Sequence, residues 1–534
     1  MVIKKTTALH FSLTLTFLYG HLVCAQESEF LVKPFLQDAS PNSIVIKWET
    51  SNGAESIVEY GKSPKLGKET KGEAYGINYD DTRLHEVKLT GLDRLTMYYY
   101  RVKTGDLVSD IYQFKTPPFA EDKESFRIAA MSDMQEDFKY PDKFEELINE
   151  GLISYLQENY DGTVPDNLAL MMIPGDLVQN GAVYHQWKRD FFDPAAPLFS
   201  QVPVYPVPGN HENNSVYFLQ YFTLPENGTP AYHEHWWYKD YGNVRIIGMD
   251  SNPGYKNNHQ LTWLDQVLEM SASDENIDFV FAQLHHPFKS EMWVDGELDY
   301  SGKIVKKLEA FSTATGKPSV HFFGHTHAYS RGQSRDHKHL WINVATAGGD
   351  IDYWGEYAQR NYEEFSVTQD EYGFVVVDID QNNGDPSMTV RRLSRGNENL
   401  PRDNEMRDSL TVWRYEKKPA TPVIESPKNG VIISNREILL KASDFESKHA
   451  GAVHGAVHWQ VSTTEDFTKP VIDRWRQHQD WYADIDRQAN DNLTDELILY
   501  IESNINYFWR VRYRDQNLNW SDWSETGEFK VEDR

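Results

Sequence analysis

The stretch Val320-His321-Phe322-Phe323-Gly324-His325-Thr326-His327 decides how the central part of this chain is interpreted. Its largely apolar first half is typical of a buried strand, and its second half is a short polar turn at the end of that strand. Two imidazoles two positions apart on one turn can point at two different metal ions. A His-x-His pair is weak evidence by itself, because most such pairs are surface or core histidines without a metal. The pair gains meaning only from further ligands elsewhere in the chain.

Earlier apolar runs end in the same way, each followed directly by residues that can bind metal. In chain order these motifs are Asp133-Met134-Gln135, Gly175-Asp176, Gly209-Asn210-His211-Glu212 and His285-His286-Pro287. In a layered α/β fold the strand ends lie along one rim of the sheet, so the side chains should converge. Carboxylate, carboxamide and imidazole groups suit a pair of hard to borderline ions. Two ions about 3.5 to 4 Å apart clamp a phosphoryl group and generate a hydroxide, so the motifs indicate metal-assisted phosphoester hydrolysis.

The pattern across 126–394 predicts an α/β layered domain, because apolar strands alternate with polar or helical sequence. Helical periodicity predicts helices at 143–156, 260–270 and 303–312. The predicted strands are 126–131, 168–173, 202–207, 244–249, 279–284, 320–323 and 340–344, followed by a closing hairpin at 374–377 and 388–393.

Short alternating runs separated by turn residues flank this domain, a pattern typical of antiparallel sandwiches. The run 92–102 resembles the tyrosine-corner strand of fibronectin type III domains, with Tyr98 at the corner. We predict all-β fibronectin type III-like domains at both ends. The full division is a signal peptide at 1–25, the first such domain at 26–120, the α/β domain at 121–395, a linker at 396–420 and the second such domain at 421–534.

The C-terminal region carries a second pattern typical of these sandwiches. The strand around 508–514 places three arginines on one face, and Trp520-Ser521-Asp522-Trp523-Ser524 follows it. This resembles the Trp-Ser-x-Trp-Ser device of some fibronectin-type domains, in which indoles and guanidinium planes interleave. The resemblance favours a structural ladder over an anion site.

Composition limits the partners and the compartment. The chain has 534 residues and a formal net charge of −28, so it lacks the excess of Lys and Arg on which binding of a phosphate backbone depends. Nucleic acid is therefore not expected as a bulk partner.

The first residues are typical of a secretory signal, with Lys4 and Lys5 before an apolar run and a small-residue cleavage site at Val23-Cys24-Ala25. This predicts a secreted or periplasmic protein. A surface lipoprotein acylated at Cys24 is the alternative, although Val23 is a poor residue before such a cysteine. Cys24 is the only cysteine, so the processed chain would form no disulfide. No later apolar run is long enough to cross a bilayer.

The order of the polar motifs resembles the calcineurin-like metallophosphoesterase superfamily. Within it the chain is most similar to the purple acid phosphatase branch, which also begins with a fibronectin-like domain and shares features of two stretches, 237–244 and 324–329. The resemblance covers roughly 30–393. It implies a central α/β metallophosphoesterase β-sandwich with flanking helices and two bound metal ions, divalent ones such as Mn, Zn or Fe.

The resemblance also implies the ligands, with Asp176 bridging the two ions. One ion would be held by Asp133, Gln135, Asp176 and His327. The other ion would be held by Asp176, Asn210, His285 and His325. His211 would lie over the scissile phosphate and stabilise or protonate the leaving oxygen.

The sequence departs from the purple branch at three places. Gln179 replaces the tyrosine that binds ferric iron there, which argues against a tyrosinate–iron site. Gln135 stands where the wider superfamily has histidine, and glutamine there resembles manganese-dependent ADP-ribose and CDP-alcohol diphosphatases. Met292-Trp293 stands where the branch often has a substrate-facing histidine. These departures indicate that substrate recognition has diverged.

Asn180, His233 and Arg331 are candidates for contact with substrate. His233 and Arg331 each have a structural alternative, and for Asn180 the sequence does not decide. Asn180 follows the second motif, and His233 lies in an aromatic segment of a kind that more often packs over a sheet edge. Arginine at the place of Arg331 is more often an ion-pair partner.

These expectations describe a phosphohydrolase of the acid phosphatase-like phosphomonoesterase type, in which a metal-bound hydroxide attacks a small phosphoester. A phosphodiesterase or nucleotide-type diphosphatase on the same metal centre remains an alternative. A second alternative is a non-catalytic surface or glycan-binding protein, against which the complete ligand set argues. The sequence leaves the oligomeric state open.

Overall fold

The computed structural model describes residues 28–434, 437–449 and 451–532. The predicted signal peptide at 1–25 lies outside these residues. Their strands form three successive sandwiches of two sheets each, and helices cover the outside of the central one. Across the described ranges no helix is both long and apolar enough to cross a membrane.

The N-terminal sandwich joins a sheet of order β1-β2-β6-β5 to a second sheet in which β4, β3 and β7 are neighbours and β8 and β9 both pair with β7. Its strands are β1 (Phe30–Ser40), β2 (Ser43–Thr50), β3 (Ile57–Gly61), β4 (Lys68–Lys71), β5 (Glu73–Ile77), β6 (Thr82–Thr90), β7 (Met97–Thr104), β8 (Leu107–Val108) and β9 (Tyr112–Lys115). Trp48 and Tyr100 are fully buried between the sheets. The hydroxyl of Tyr98 accepts a 3.0 Å hydrogen bond from the backbone nitrogen of Asp93, which is the contact expected of a tyrosine corner.

The central sandwich packs a six-stranded sheet against a longer second sheet. Its strands are β10 (Phe126–Ala130), β11 (Leu170–Ile173), β12 (Val204–Pro206), β13 (Trp237–Tyr241), β14 (Val244–Gly248), β15 (Phe279–Gln283), β16 (Ser319–Phe323), β17 (Tyr329–Gln333), β18 (His339–Val344), β19 (Phe365–Gln369), β20 (Tyr372–Asp380), β21 (Ser387–Gly396) and β22 (Pro401–Trp413). The six-stranded sheet has the order β12-β11-β10-β20-β21-β22, and the second contains β13-β14-β15-β16-β18-β17-β19. An apolar core lies between them.

Helices pack on the outer faces of both sheets. They are α1 (Lys143–Glu146), which continues through π-helical turns (Leu147–Ile153) into α2 (Ser154–Asn159); α3 (Val164–Asn167); α4 (Tyr184–Gln186), which continues through π-helical turns (Trp187–Phe192) into α5 (Asp193–Phe199); α6 (Val216–Tyr221); α7 (Asn258–Ser273); and α8 (Asp299–Thr315). Local chemistry sets their ends. The Asn257 side chain accepts hydrogen bonds from the first turn of α7, and Gly316 ends α8 with a φ of 67°.

Each strand and helix predicted for the central domain is present, with shifts of a few residues at the ends. The sequence also predicted that the ligand motifs share the rim of one sheet. They come instead from two sheets, because β10, β11 and β12 are parallel in one, while β14, β15, β16 and β18 are parallel in the other. The carboxyl ends of both sets meet at the same end of the sandwich.

The predicted linker at 396–420 is wrong over most of its length. Pro401–Trp413 forms β22, which pairs antiparallel with β21 along the edge of the six-stranded sheet. Only Leu410 and Val412 of this strand are buried. The remaining side chains are half-buried or exposed, so this polar stretch gave no apolar alternation to detect.

The C-terminal sandwich joins a three-stranded sheet, β23-β25-β30, to a five-stranded sheet, β24-β32-β31-β26-β27. The strands of this region are β23 (Ile424–Ser426), β24 (Val431–Ile433), β25 (Ile438–Ala442), β26 (His454–Ser462), β27 (Ile472–Gln477), β28 (Trp481–Tyr482), β29 (Ile485–Asp486), β30 (Asp495–Ile498), β31 (Ile505–Asp515) and β32 (Gly527–Val531). The short strands β28 and β29 leave this sandwich and extend the second central sheet beyond β19.

The predicted arginine–tryptophan ladder is present on β31. The Arg512 guanidinium lies 4.3 Å from the ring of Trp520 and 4.5 Å from that of Trp523. The Arg510 guanidinium lies 4.1 Å from the ring of Trp523. Arg514 is fully buried and donates to carbonyl oxygens of the central domain at 2.9 and 2.7 Å. The ladder therefore stabilises the sandwich and joins it to its neighbour.

Candidate metal centre

The predicted ligands follow directly on the ends of buried strands. Asp133 follows β10, Asp176 follows β11 and His325 follows β16, and their φ values are 61°, 55° and 72°. Residues other than glycine rarely adopt this left-handed backbone conformation. Where they do, the residue often belongs to a functional site. The chain turns sharply at each of these residues, so each side chain lies at the end of the sandwich instead of along a sheet face.

One group of ligands surrounds Asp176. His285 Nε2 lies 3.1 Å from Asp176 Oδ2 and 2.9 Å from Asn210 Oδ1. The rings of His285 and His325 are 5.1 Å apart between centroids. The ligand atoms of Asp176, His285 and His325 all lie within 4.8 Å of one another, which is close enough to hold one metal ion.

A second group surrounds Asp133. His327 Nε2 lies 3.3 Å from Asp133 Oδ1 and 3.0 Å from Gln135 Nε2. The two groups are joined through the backbone, because the nitrogens of Asp133 and Met134 donate to the carbonyl oxygens of Gly175 and Asp176. The strand ends thus bring together all the ligands that the sequence predicted.

Charges in the two groups are arranged in pairs. Burial lowers the pKa of an imidazole, but the neighbouring Asp176 carboxylate raises the pKa of His285 to about 9. Asp133 likewise outweighs burial and raises the pKa of His327 to about 10. Burial and the nearby His285 lower the pKa of His325 to about 3. A metal ion would displace the protons on His285 and His327, because only neutral imidazole binds metal.

The side chains of the two ligand groups are arranged as expected for a metal centre, because their hydrogen bonds to one another leave a buried oxygen without a partner among the described residues. Gln135 Oε1 is buried and has no hydrogen-bond partner within the described ranges. Two glycines leave room for the carboxylates: a Cβ on Gly209 would lie 2.1 Å from Asp176 Oδ1, and one on Gly324 would lie 2.3 Å from Asp133 Oδ2. An orphaned oxygen beside carboxylates and imidazoles is the donor set that divalent metals bind.

Two family models match the chain. Residues 126–329 match the calcineurin-like phosphoesterase model, and residues 32–116 match the N-terminal domain model of purple acid phosphatases. The central domain is a calcineurin-like phosphoesterase domain.

The relatives of this chain are distant in sequence. Purple acid phosphatase 18 of Arabidopsis thaliana is 24% identical over 300 residues, which is 54% of this chain and 62% of that protein. A probable cyclic nucleotide phosphodiesterase of Fibrobacter succinogenes is 28% identical over 194 residues, which is 35% of this chain and 68% of that protein. The chain therefore spans about six tenths of the plant relative.

The fold has a solved counterpart over much of the chain. The structure of the purple acid phosphatase PPD1 from yellow lupin (Lupinus luteus) seeds aligns with a TM-score of 0.55 at 17% identity, covering 71% of this chain and 73% of that one. This likeness supports the fold that the strand order already indicated.

The ligand loops of the phosphoesterase domain rest on a buried carboxylate. Glu212 accepts hydrogen bonds from the backbone nitrogens of Asp176, Leu177 and Gly209 at 2.9, 2.8 and 2.6 Å. Burial, reinforced by the nearby Asp176, raises its pKa to about 8. Glu212 thus holds the second and third ligand loops in register.

His211 lies at the rim of the centre. Its backbone nitrogen donates to Asp176 Oδ1 at 2.9 Å, its Nδ1 lies 2.7 Å from the carbonyl oxygen of Gln179, and its Nε2 lies 3.9 Å from Asp176 Oδ2. The side chain is partly exposed. Its Nε2 is therefore positioned between the buried carboxylate and solvent.

A cavity of about 230 Å³ opens over the ligands. Its lining includes Trp293, which the sequence marked as a departure from the purple branch, and five residues that sequence reasoning missed: Asp350, Ile351, Asp352, Glu356 and Tyr357. Two of them support a ligand, since the Asp352 carboxylate accepts from the backbone nitrogen of His327 at 2.8 Å, and the Asp350 carbonyl oxygen lies 2.6 Å from His327 Nδ1. The only signal for them was the Gly348-Gly349-Asp350 turn after a strand.

The three predicted substrate contacts have different outcomes. The prediction that Arg331 contacts substrate is wrong, because its buried guanidinium pairs with Asp408 on β22 at 2.6 and 3.1 Å. His233 is exposed and is not among the residues that line the cavity. Asn180 lies near His211, but its Oδ1 already accepts from Asn213 and from a backbone nitrogen. Arg331 is thus held by a residue distant in sequence.

Proposed function

We propose that this protein is a dinuclear-metal phosphohydrolase with phosphomonoesterase activity. The observation that carries the proposal is the convergence of seven predicted ligands from two sheets beneath one cavity, with His211 at the rim. The family match of the central domain supports phosphoester chemistry. The named purple acid phosphatases among the relatives favour monoesters.

The proposed ligand sets follow the two groups in the structure. Asp133, Gln135 and His327 would hold one ion, and Asn210, His285 and His325 the other, with Asp176 bridging them. When bound, such a pair polarises phosphoryl oxygens and activates a water molecule for in-line attack. The protein's own groups fix the ligands: Glu212 holds the backbone of two loops, and Asp352 holds that of His327.

His211 would act on the leaving group. With Nδ1 bonded to the Gln179 carbonyl oxygen, a proton on Nε2 faces the cavity and can pass to the leaving oxygen. A positioned general acid of this kind contributes roughly 10²–10⁴-fold to rate.

Substitution of the proposed bridging ligand and of the proposed acid separates the two roles. Asp176→Ala should lose bound metal and activity together. His211→Ala should retain metal and lose turnover by roughly 10²–10⁴-fold. Metal content by elemental analysis and hydrolysis of a phosphomonoester would measure both. Full activity in a metal-loaded His211→Ala protein would remove the role of His211.

A phosphodiesterase or diphosphatase on the same ligands is the second candidate. Gln135 in place of histidine, the aromatic Trp293 at the cavity and the Fibrobacter relative favour it. Rates on a monoester, a diester and a nucleoside diphosphate derivative, compared side by side, would decide. A preference for either of the latter two would overturn the monoesterase proposal. Tight metal binding without hydrolysis of any of them would instead revive a non-catalytic role.

We also propose that the flanking sandwiches are fibronectin type III-like and that the protein is exported. The strand orders of the two sandwiches and the tyrosine-corner contact of Tyr98 support the first proposal. The signal-like sequence at 1–25 supports the second. Detection of the processed N-terminus outside the cytoplasm would test export.

A further inference from the structure

One wall of the cavity is a single segment without regular secondary structure. Residues 350–361, here called the wall segment, contribute Asp350, Ile351, Asp352, Glu356 and Tyr357 to the cavity lining. On one side the wall segment is tied to the central domain: the nitrogen of Val294 donates to the carbonyl oxygen of Ala358 at 2.9 Å, and that of Arg360 donates to Glu291 at 3.2 Å.

The other side of the wall segment packs against the C-terminal sandwich. Residues 480–487, here called the C-terminal hairpin, contain β28, β29 and a two-residue turn whose residues both have positive φ. The ring of Tyr482 lies 4.8 Å from that of Trp354, and the Arg487 guanidinium stacks on Tyr482 at 4.3 Å. The Asn361 carboxamide donates to the Asp480 carboxylate at 3.1 and 3.2 Å.

The strand that follows the wall segment is held by the same region. β19 pairs with β28 through Val367 and Trp481. The side chain of Gln477, which is buried at the end of β27, donates to the carbonyl oxygens of Glu363 and Glu364 at 2.8 and 3.0 Å. Contacts from the C-terminal sandwich therefore hold the wall segment at Trp354 and Asn361 and continue into the strand after it.

We infer that the C-terminal hairpin is a positioning element of the active site, which fixes the wall segment so that it can contact the substituent of the phosphoester. The inference rests on the proposed function for its catalytic consequence. The hairpin touches none of the proposed metal ligands. Its effect should therefore fall on substrate binding and not on metal content.

The aromatic side chains at the cavity indicate which substituent of a phosphoester the wall segment would bind. The ring of Tyr357 lies 5.5 Å from that of Trp293, which in turn lies 5.0 Å from the ring of His325. Two aromatic rings beside a proposed metal ligand offer stacking to a planar group. Esters with an aromatic substituent should therefore depend on the wall segment more than small alkyl esters do.

Replacement of Tyr482 in the full-length protein tests the inference. Tyr482→Ala should speed amide hydrogen exchange in residues 350–361. It should raise KM for an aryl phosphate roughly 3- to 10-fold, as expected for loss of one aromatic contact, and leave metal content and kcat nearly unchanged. KM for glycerol phosphate should change less. Tyr482→Phe keeps the ring and should restore both exchange and KM.

Tyr500→Ala is the matched control, because this tyrosine belongs to the same domain and is 87% exposed. If Tyr482→Ala unfolds, Asp480→Ala removes the bond to Asn361 alone and should give the same local exchange. Unchanged exchange of the wall segment in both variants would overturn the inference. A wild-type protein without phosphoesterase activity would overturn the proposed function, while the exchange measurement would still decide the positioning role.

Discussion

At the scale of single residues, close approach of backbone to carboxylate sets the geometry of the proposed metal centre. Gly209 has no side chain where a Cβ would lie 2.1 Å from Asp176 Oδ1 and 2.5 Å from its backbone nitrogen. Real Cβ atoms do not approach so closely, and both atoms that would have to move belong to the same ligand residue. Glycine is therefore required at this position by the closeness of Asp176, and not by the backbone conformation of a turn.

The substitution Gly209→Ala should displace Asp176 and lower metal affinity by roughly 10- to 100-fold or more, the size of effect seen when support of a ligand is lost. Titration of metal-free protein with Mn²⁺ or Zn²⁺ measures it. Gly151→Ala is the control, since its Cβ would meet a ring of Phe374 at 3.2 Å and the carbonyl oxygen of Glu146 at 3.7 Å, and neither residue belongs to the proposed metal centre. Metal affinity equal to wild type in Gly209→Ala would show that the loop can shift without cost.

At the scale of elements, neighbouring strands of the second central sheet bury a histidine pair. His321 on β16 and His339 on β18 are both buried, with His321 Nδ1 2.9 Å from His339 Nε2 and Ser319 Oγ 2.7 Å from His339 Nδ1. Burial lowers the pKa of His321 to about 3. Burial, together with the neighbouring His321, lowers the pKa of His339 as well. Both rings are therefore neutral in the folded protein.

This pair should make the central domain sensitive to acid. The folded-state pKa of each histidine lies below the unfolded value of about 6.5. The contribution of the neutral pair to stability is therefore fully present above about pH 6.5 and is lost as pH falls toward 3. The slope is about 1.4 kcal/mol per pH unit for each group. His321→Leu should flatten the fall of Tm between pH 6 and pH 4 relative to wild type. Parallel curves for the two proteins would contradict the assignment.

At the scale of the whole molecule, a buried carboxylate joins the N-terminal sandwich to the central one. Glu49 on β2 accepts hydrogen bonds from three hydroxyls: Thr82 of its own sandwich at 2.5 Å, and Tyr221 at 2.7 Å and Tyr184 from the central domain. Burial raises its pKa, although the hydroxyl donors oppose this. The interface thus depends on a carboxyl group whose charged form is disfavoured by burial.

Because the folded pKa of Glu49 is raised, its contribution to stability is present below its unfolded pKa of about 4.3 and is lost as pH rises. Glu49→Gln cannot ionise, so its Tm at pH 8 should equal or exceed that of wild type. Glu49→Ala should instead lose roughly 2–4 kcal/mol, because three buried hydroxyls lose their acceptor. Thermal unfolding at pH 5 and pH 8 measures both. A Glu49→Gln protein that is less stable than wild type at pH 8 would contradict this reasoning.

The sequence by itself determined most strands of the central domain, including those that carry the ligand motifs at their ends. Buried strands are encoded locally, as apolar runs such as 126–131 and 320–323, and the ligand motifs follow them directly. The left-handed turns at Asp133, Asp176 and His325 then place the ligands at one end of the sandwich. For this reason the ligand motifs could be found in the sequence, whereas their division into two groups was implied by the resemblance to the metallophosphoesterase superfamily.

Only the tertiary structure decided what surrounds those ligands. Arg331 is occupied by Asp408 of an edge strand that resembled a linker, and Tyr482 of the C-terminal hairpin packs against Trp354 of the wall segment. These contacts join residues far apart in the chain. Local periodicity carries no information about which distant surfaces meet, because that choice depends on how whole sheets pack and which polar groups their packing leaves paired.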